Sequence, residues 1–239
     1  MFLRLTAVLF AVLTPVWADN ASDCAGLPTA GDLRTNLANA PNFQGNAGGI
    51  FGGNNMWAAV VNRDGKLCAI VTSTSDPKQV WPGSQAIAKA KAYTANAFSV
   101  DALALSTARL YTFTQPGHSL WSLGQSNLFN PQFLAPISGG TDQTGQIAGG
   151  LIFFGGGVPL YKNGKVIGGL GISGDTSCTD HEIAKRLRTL LSLNPPGGQA
   201  VDDIVFTVPD GPSPFAHPLC LNTYRNGVFM GTETNAPIY

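Results

Sequence analysis

The chain has 239 residues, with 14 Lys+Arg against 14 Asp+Glu, 44% hydrophobic residues and only 12% charged ones. Cations so few and so scattered leave no electrostatic footprint for nucleic acid or anionic lipid, which excludes both as main partners. The apolar content is ample for a real core, and Gly and Pro are abundant but dispersed, so disorder is not indicated.

Arg4 and the apolar stretch Leu5 to Leu13, a Pro15 break, and Val16-Trp17-Ala18 before Asp19-Asn20 have the charged, apolar and small-residue regions of a signal peptide over residues 1–18. A membrane anchor needs roughly 18 uninterrupted apolar residues, which Thr6, Thr14 and Pro15 deny it. Cleavage removes Arg4 and no anion, so residues 19–239 carry 13 cations against 14 anions, a net charge of −1. We read these residues as a single periplasmic or secreted domain with no membrane span. All four cysteines, Cys24, Cys68, Cys178 and Cys220, lie in this part. An even count in an oxidising compartment predicts two disulfides, with three connectivities open, and no CxxC spacing suggests zinc or redox chemistry.

Residues 29–40 predict a short helix with Leu33 and Leu37 on one face, followed by a Gly/Asn-rich loop over 42–55. Met56 to Asn62, Arg63-Asp64-Gly65-Lys66 and Leu67 to Thr74 read as a β-hairpin, since Asp-Gly supplies a positive φ. Ser84 and Ser99 are candidate N-caps of two helices, one through Ala97 and one over Val100 to Leu110. The small face of Ala86, Ala90 and Ala97, joined by Ala88, Ala92 and Ala95, would let the first sit close to a sheet. Residues 112–148 show no clean period and read as a long loop region, of a size that is functional or carries local structure. Leu151 to Phe154, Gly155-Gly156-Gly157, Val158 to Tyr161, an Asn163-Gly164 turn and Val166 to Ser173 form a second hairpin, offset from the first by 99 residues. Thr179 and Glu182 make a capping box for a helix whose stripe is Ile183, Leu187, Leu190 and Leu191, ended by Pro195-Pro196-Gly197-Gly198. In the tail, one strand is expected over Ile204 to Val208.

Two hairpins, each followed by a helix, predict one antiparallel sheet with helices against it, an α+β fold. This order also favours one pairing of cysteines. Cys24 precedes the first helix, whose start should lie near the first hairpin's turn and hence Cys68. Cys178, at the start of the last helix, is left for Cys220.

Gly169 to Gly174 matches the GxGxxG spacing, but no acidic residue and second parallel strand follow about 20 residues on. We therefore read these glycines as permitting close approach of a helix or another subunit. Ser138 and Ser173 lie in no GxSxG elbow, and HExxH, Walker A and EF-hand patterns are missing. Among the three histidines, His118 lies in the long loop with Tyr111, Phe113, Trp121, Phe129 and Phe133 around it, the setting that haem ligation asks for; the alternative is a solvent-facing loop histidine. His181 and His217 read as structural or surface residues. Tyr93, Tyr111 and Met56 rank below His118 as iron ligands.

The segment Val61 to Lys66, the helix Ala88 to Phe98, the step Gly156-Gly157-Val158-Pro159-Leu160 and the run Gly168 to Ala184 together resemble the GlcG/HbpS-like haem-binding (haem-degrading) family, over residues 56–193. That resemblance implies a profilin-like, three-layer sheet with helices around it, homo-oligomers, and haem or a related ligand held between elements or subunits. The chain departs from the family's compact pattern in its 112–148 insertion, its cysteines and its extension over 195–239. The first functional expectation is haem binding, for storage, sensing or degradation. His118 would be the metal ligand, Trp121 and Phe153-Phe154 the apolar wall, and Lys91 or Arg109 the propionate partners. The alternative is an extracytoplasmic small-molecule binding or sensory module without haem, and a third is an enzyme that breaks haem down with peroxide or oxygen.

Overall fold

In a computed structural model, the chain is described over residues 23–131 and 144–234. The expected signal peptide, Phe133 and Ser138 lie outside the described residues.

Thr29 opens helix α1 (Ala30–Asn39) with a reciprocal capping box through Asp32. Strands β1 (Trp57–Asn62) and β2 (Leu67–Thr72) form the first hairpin, and β3 (Gly157–Lys162) and β4 (Lys165–Ser173) the second. β1 and β4 pair along their length, which joins the hairpins into one antiparallel sheet of order β2-β1-β4-β3. Both turns were legible, for different reasons. Asn163 and Gly164 both have positive φ, 51° and 75°, as a two-residue turn requires; at Asp64-Gly65 only Gly65 is left-handed, and both hairpins carry a register shift, at Val60/Val61 and at Leu160/Tyr161.

Every residue of β1 is buried, because the sheet is covered on both faces. Ala58 and Val60 pack with Leu33 and Leu37 of α1 and with Ile183 and Leu187 of helix α3 (Ser177–Leu190). Trp57, Ala59 and Val61 face the other way, onto Ala88 and Ala92 of helix α2 (Pro82–Ala97). The result is three layers, helix, sheet and helix. The expected closeness of α2 has its counterpart in β4, where a Cβ on Gly169 or Gly171 would overlap the Ala92 or Ala88 carbonyl. These glycines thus serve helix–sheet packing.

Four local expectations are corrected. α2 begins at Pro82 in the first helical position, with Ser84 already buried inside it. Residues 100–110 are not a helix: Val100 and Leu103 exchange backbone hydrogen bonds, Ser99 Oγ takes the Leu105 N–H, and the Asp101 carboxylate binds Lys165 and the Val166 N–H. Such side chains offer the backbone an alternative to helix, and only a 3-10 turn remains, at Thr107–Leu110. Residues 151–154 are not strand either, since Ile152 N–H is taken by Thr94 Oγ1 and the Phe154 carbonyl by Thr107 Oγ1. The cap of α3 is Thr176, which accepts from Thr179 N–H, so Glu182 is an interior residue.

The tail is more ordered than expected. β5 (Val205–Phe206) pairs in parallel with β6 (Ala216–His217), and β7 (Thr223–Arg225) and β8 (Val228–Gly231) form a hairpin about Asn226-Gly227, both of positive φ. Both disulfides follow the predicted pairing, Cys24–Cys68 and Cys178–Cys220, with Cα–Cα distances of 5.6 and 5.8 Å. No helix among the described residues is long and apolar enough to cross a membrane.

Candidate functional site

The residues nominated from sequence fall into three places. His118 and Trp121 lie on consecutive 3-10-like turns, with Trp121 N–H donating to the His118 carbonyl at 3.1 Å. Both side chains are exposed, and Trp121 is 57% accessible. This segment runs beside residues 147–153. Phe129 pairs with Gly149 through a β-bridge, Gly124 lies against the Phe153 ring, and Asn127 Nδ2 donates to the Tyr93 hydroxyl at 3.2 Å. Phe153 in turn meets Phe98 edge-on at 6.3 Å. Leu128 is 77% exposed and Ile147 48% exposed.

Lys91 is elsewhere. It is a fully buried residue of α2 that reaches past β4 to α3, its Nζ 2.7 Å from Asp180 Oδ2 and 3.0 Å from the Ile172 carbonyl, with the Phe154 ring centroid 4.8 Å away. Burial disfavours charge on both partners, pushing Lys91 down and the Asp180 carboxyl up to about 6, while their mutual attraction opposes both shifts. With its donors taken by Asp180 and a carbonyl, Lys91 ties the two helices together.

Arg109 occupies a third place. Its Nε donates to the Asp203 carbonyl and its guanidinium lies over Phe215. It lines a cavity of about 350 Å³ together with Asp203, Asp210, Arg225 and Asn226. Arg225 there is bidentate to Asp210, at 2.6 and 2.8 Å. Beneath, Asp203 receives Lys185 Nζ at 2.8 Å and faces His181 Nε2 at 3.3 Å. Burial would raise the Asp203 carboxyl, but these two neighbours outweigh it and hold it well below the usual range. His118 and Trp121 are thus linked to each other through their backbone, Phe153 lies against Gly124 of the same segment, Lys91 sits beside Phe154, and Arg109 lines a separate cavity.

Met56 is core. Tyr111 stacks at 4.8 Å on His217, which sequence reading left as a structural or surface residue. His217 is buried, and burial pushes its ring down to about 4, so it is neutral at pH 7. Its Nδ1 lies 2.7 Å from the Pro218 carbonyl, and its Nε2 takes the Gly155 N–H at 3.3 Å. Cys178, His217 and Cys220 bring three metal-ligating atoms within 4.8 Å of one another. The signal for this group was present in the spacing His217-x-x-Cys220 and in the expected Cys178–Cys220 link.

Comparison with known proteins adds a family. The model described as haem degrading protein HbpS-like matches residues 46–188. No curated protein matches the chain. Among solved structures, a complex of PduOC with haem is 23% identical, covering 70% of this chain and 96% of that one with a TM-score of 0.47. A Klebsiella pneumoniae protein, ORFY, is also 23% identical, with 79% and 98% covered and a TM-score of 0.45. A double mutant of Streptomyces reticuli HbpS is 19% identical, with 78% and 99% covered and a TM-score of 0.45.

Proposed function

Since the chain belongs to the HbpS-like family of haem-degrading proteins, we propose that it is an exported haem-binding protein that takes its ligand on the apolar surface around Trp121. The observation that supports haem as the ligand is the family match over residues 46–188; the surface itself lies in the 112–148 insertion and is chosen for its exposed apolar side chains. Trp121, Leu128 and Ile147 offer exposed apolar area in this segment, and His118, three residues before Trp121, supplies an imidazole open to an iron. An open surface covers one face of a haem. Its other face would be covered by a second copy of the chain, in keeping with the homo-oligomers implied by the resemblance. Lys91 is bound to Asp180 and leaves the propionates to solvent or to the second copy.

Two disulfides support export, because such bonds persist in oxidising compartments. The test is a haemin titration followed by absorbance, on the chain from residue 19 and on His118→Ala. Saturable binding with a shifted Soret band, altered by the substitution, is expected. A flat titration would defeat the haem reading.

A second reading draws on the cavity at Arg109. It is lined by charged rather than aromatic side chains, and about 350 Å³ is within the range of small-ligand sites. A polar small molecule retained there, seen by native mass spectrometry of freshly purified protein, would favour a sensory module without haem.

A further inference from the structure

Cys178, His217 and Cys220 meet at the N-terminus of α3, all three buried. Here their sulfurs are joined as a disulfide. The surroundings are nevertheless arranged as a thiolate and imidazole site would need. The Cys178 backbone N–H, a first-turn donor of α3, points at Cys220 Sγ from 3.1 Å, and Ser177 Oγ lies 3.2 Å from the same sulfur. Donors at a helix N-terminus lower a thiol's pKa and stabilise its anion. At His217 the Pro218 carbonyl beside Nδ1 assigns the ring proton to that nitrogen, so Nε2 is the acceptor; here it takes the Gly155 N–H at 3.3 Å, a bond the cation would have to displace. A ring N–H held by a carbonyl is the usual outer-shell support of a metal-bound histidine.

We propose that the Cys178–Cys220 disulfide is one state of a redox-gated metal site, in which the two thiolates and His217 bind a thiophilic divalent cation of the zinc class once the bond is reduced. The proposal is independent of haem. A dithiol reductant gives two electrons and two protons to the bond and leaves as its own disulfide, while Cys178 and Cys220 become thiols. The cation then displaces both thiol protons and binds the two sulfurs and the imidazole, with water completing a tetrahedron. Reoxidation by a disulfide of the same class reverses the exchange and releases the cation. Cys24–Cys68 is an internal control, since no other such group of three ligands gathers among the described residues.

The test uses the full mature chain, oxidised and after reduction by a phosphine, titrated with Cd²⁺ and followed by thiolate-to-cadmium charge-transfer absorption. Reduced protein should bind one Cd²⁺ per chain and oxidised protein none, with affinity at least tenfold weaker in His217→Gln, which keeps hydrogen-bonding atoms but no imidazole. Because unfolded thiols also bind metals, thermal melts with Zn²⁺ accompany the titration. Zn²⁺ should raise the melting temperature of the reduced wild type and raise that of the reduced variant less at the same concentration. A reduced wild type with free thiols and no Zn²⁺-dependent rise would overturn the proposal, whether or not the variant folds, and so would equal Cd²⁺ affinities of the two proteins.

Discussion

Helix α3 and the segment 112–131 invert the usual division of residues between inside and outside. α3 buries Asp180, His181, Glu182, Lys185, Arg186 and Arg188. Arg186 alone reaches Glu182 and the carbonyls of Ala40, Pro41, Gly45 and Asn46. The segment 112–131 contains no Lys, Arg, Asp or Glu, yet leaves Trp121 and Leu128 largely exposed. Buried charges are tolerated when they are paired and hydrogen-bonded, and those of α3 tie the sheet to the 40–46 loop and the tail. Apolar side chains left in water with nothing over them point to a ligand or a partner. In α3 buried charge therefore marks architecture, and in 112–131 the exposed Trp121 and Leu128 are candidates for contact with a ligand or partner.

The comparison breaks most visibly at Arg188. Its guanidinium is bidentate to Asp202, at 2.6 and 2.8 Å, and also donates to the Pro159 carbonyl, all of it buried. Arg188→Ala leaves Asp202 charged and unpaired, which should cost about 3–5 kcal/mol in urea denaturation. The double change Arg188→Met with Asp202→Leu removes both charges and should recover most of that loss. If the single variant lost less than about 1 kcal/mol, the buried pairs would not be architectural. Next in size is Gly171→Ala. The added Cβ would meet the Ala88 carbonyl and Ala92 N–H, and lifting α2 from the sheet should cost about 1–3 kcal/mol.

Acidification separates two buried groups that act in opposite directions. The unfolded chain accepts a proton on His217 between its ordinary 6.5 and its folded value of about 4, so stability falls as pH drops through that window. The limit is about 1.4 kcal/mol per pH unit for one group. Asp180, raised from 3.8 to about 6 by burial, is protonated in the folded chain where the unfolded chain is not, so its contribution rises as pH falls from 6 to 4. The wild type should thus show a shallow profile from these two groups. Denaturation midpoints across this range should fall more steeply with acid in Asp180→Asn than in the wild type, and less steeply in His217→Gln. Parallel profiles for all three proteins would remove both groups from the balance.

The legible parts of the fold were those written in local chemistry. Asn163-Gly164 announces its turn, Leu33 and Leu37 their stripe, and the order of elements the pairing of the four cysteines. What failed was local chemistry with a tertiary competitor. Ser99 and Asp101 look like the start of a helix, but they spend their side chains on Leu105, Lys165 and Val166. Thr176 and Thr179 both suit a cap, and the sequence does not say which one the chain uses. Asn226-Gly227 carried the same turn signal as Asn163-Gly164 and was read through as tail. At the site, the aromatic content of the long loop was visible, but not that Lys91 belongs to Asp180, 89 positions away, nor that Trp121 faces outward.

The smallest effect on stability carries the functional half of the comparison. Trp121 is 57% exposed, so Trp121→Ser takes little area out of the core and should change stability by no more than about 0.5 kcal/mol, as surface substitutions do. The same change removes the largest aromatic face beside His118 and should weaken haemin binding measurably in the titration that tests His118→Ala. Stability and binding then move independently, which Arg188→Ala cannot achieve because it disturbs the frame itself. A loss of stability near 2 kcal/mol would place Trp121 with the core. Unchanged haemin affinity would take it out of the site, and the exposed apolar surface would need another occupant.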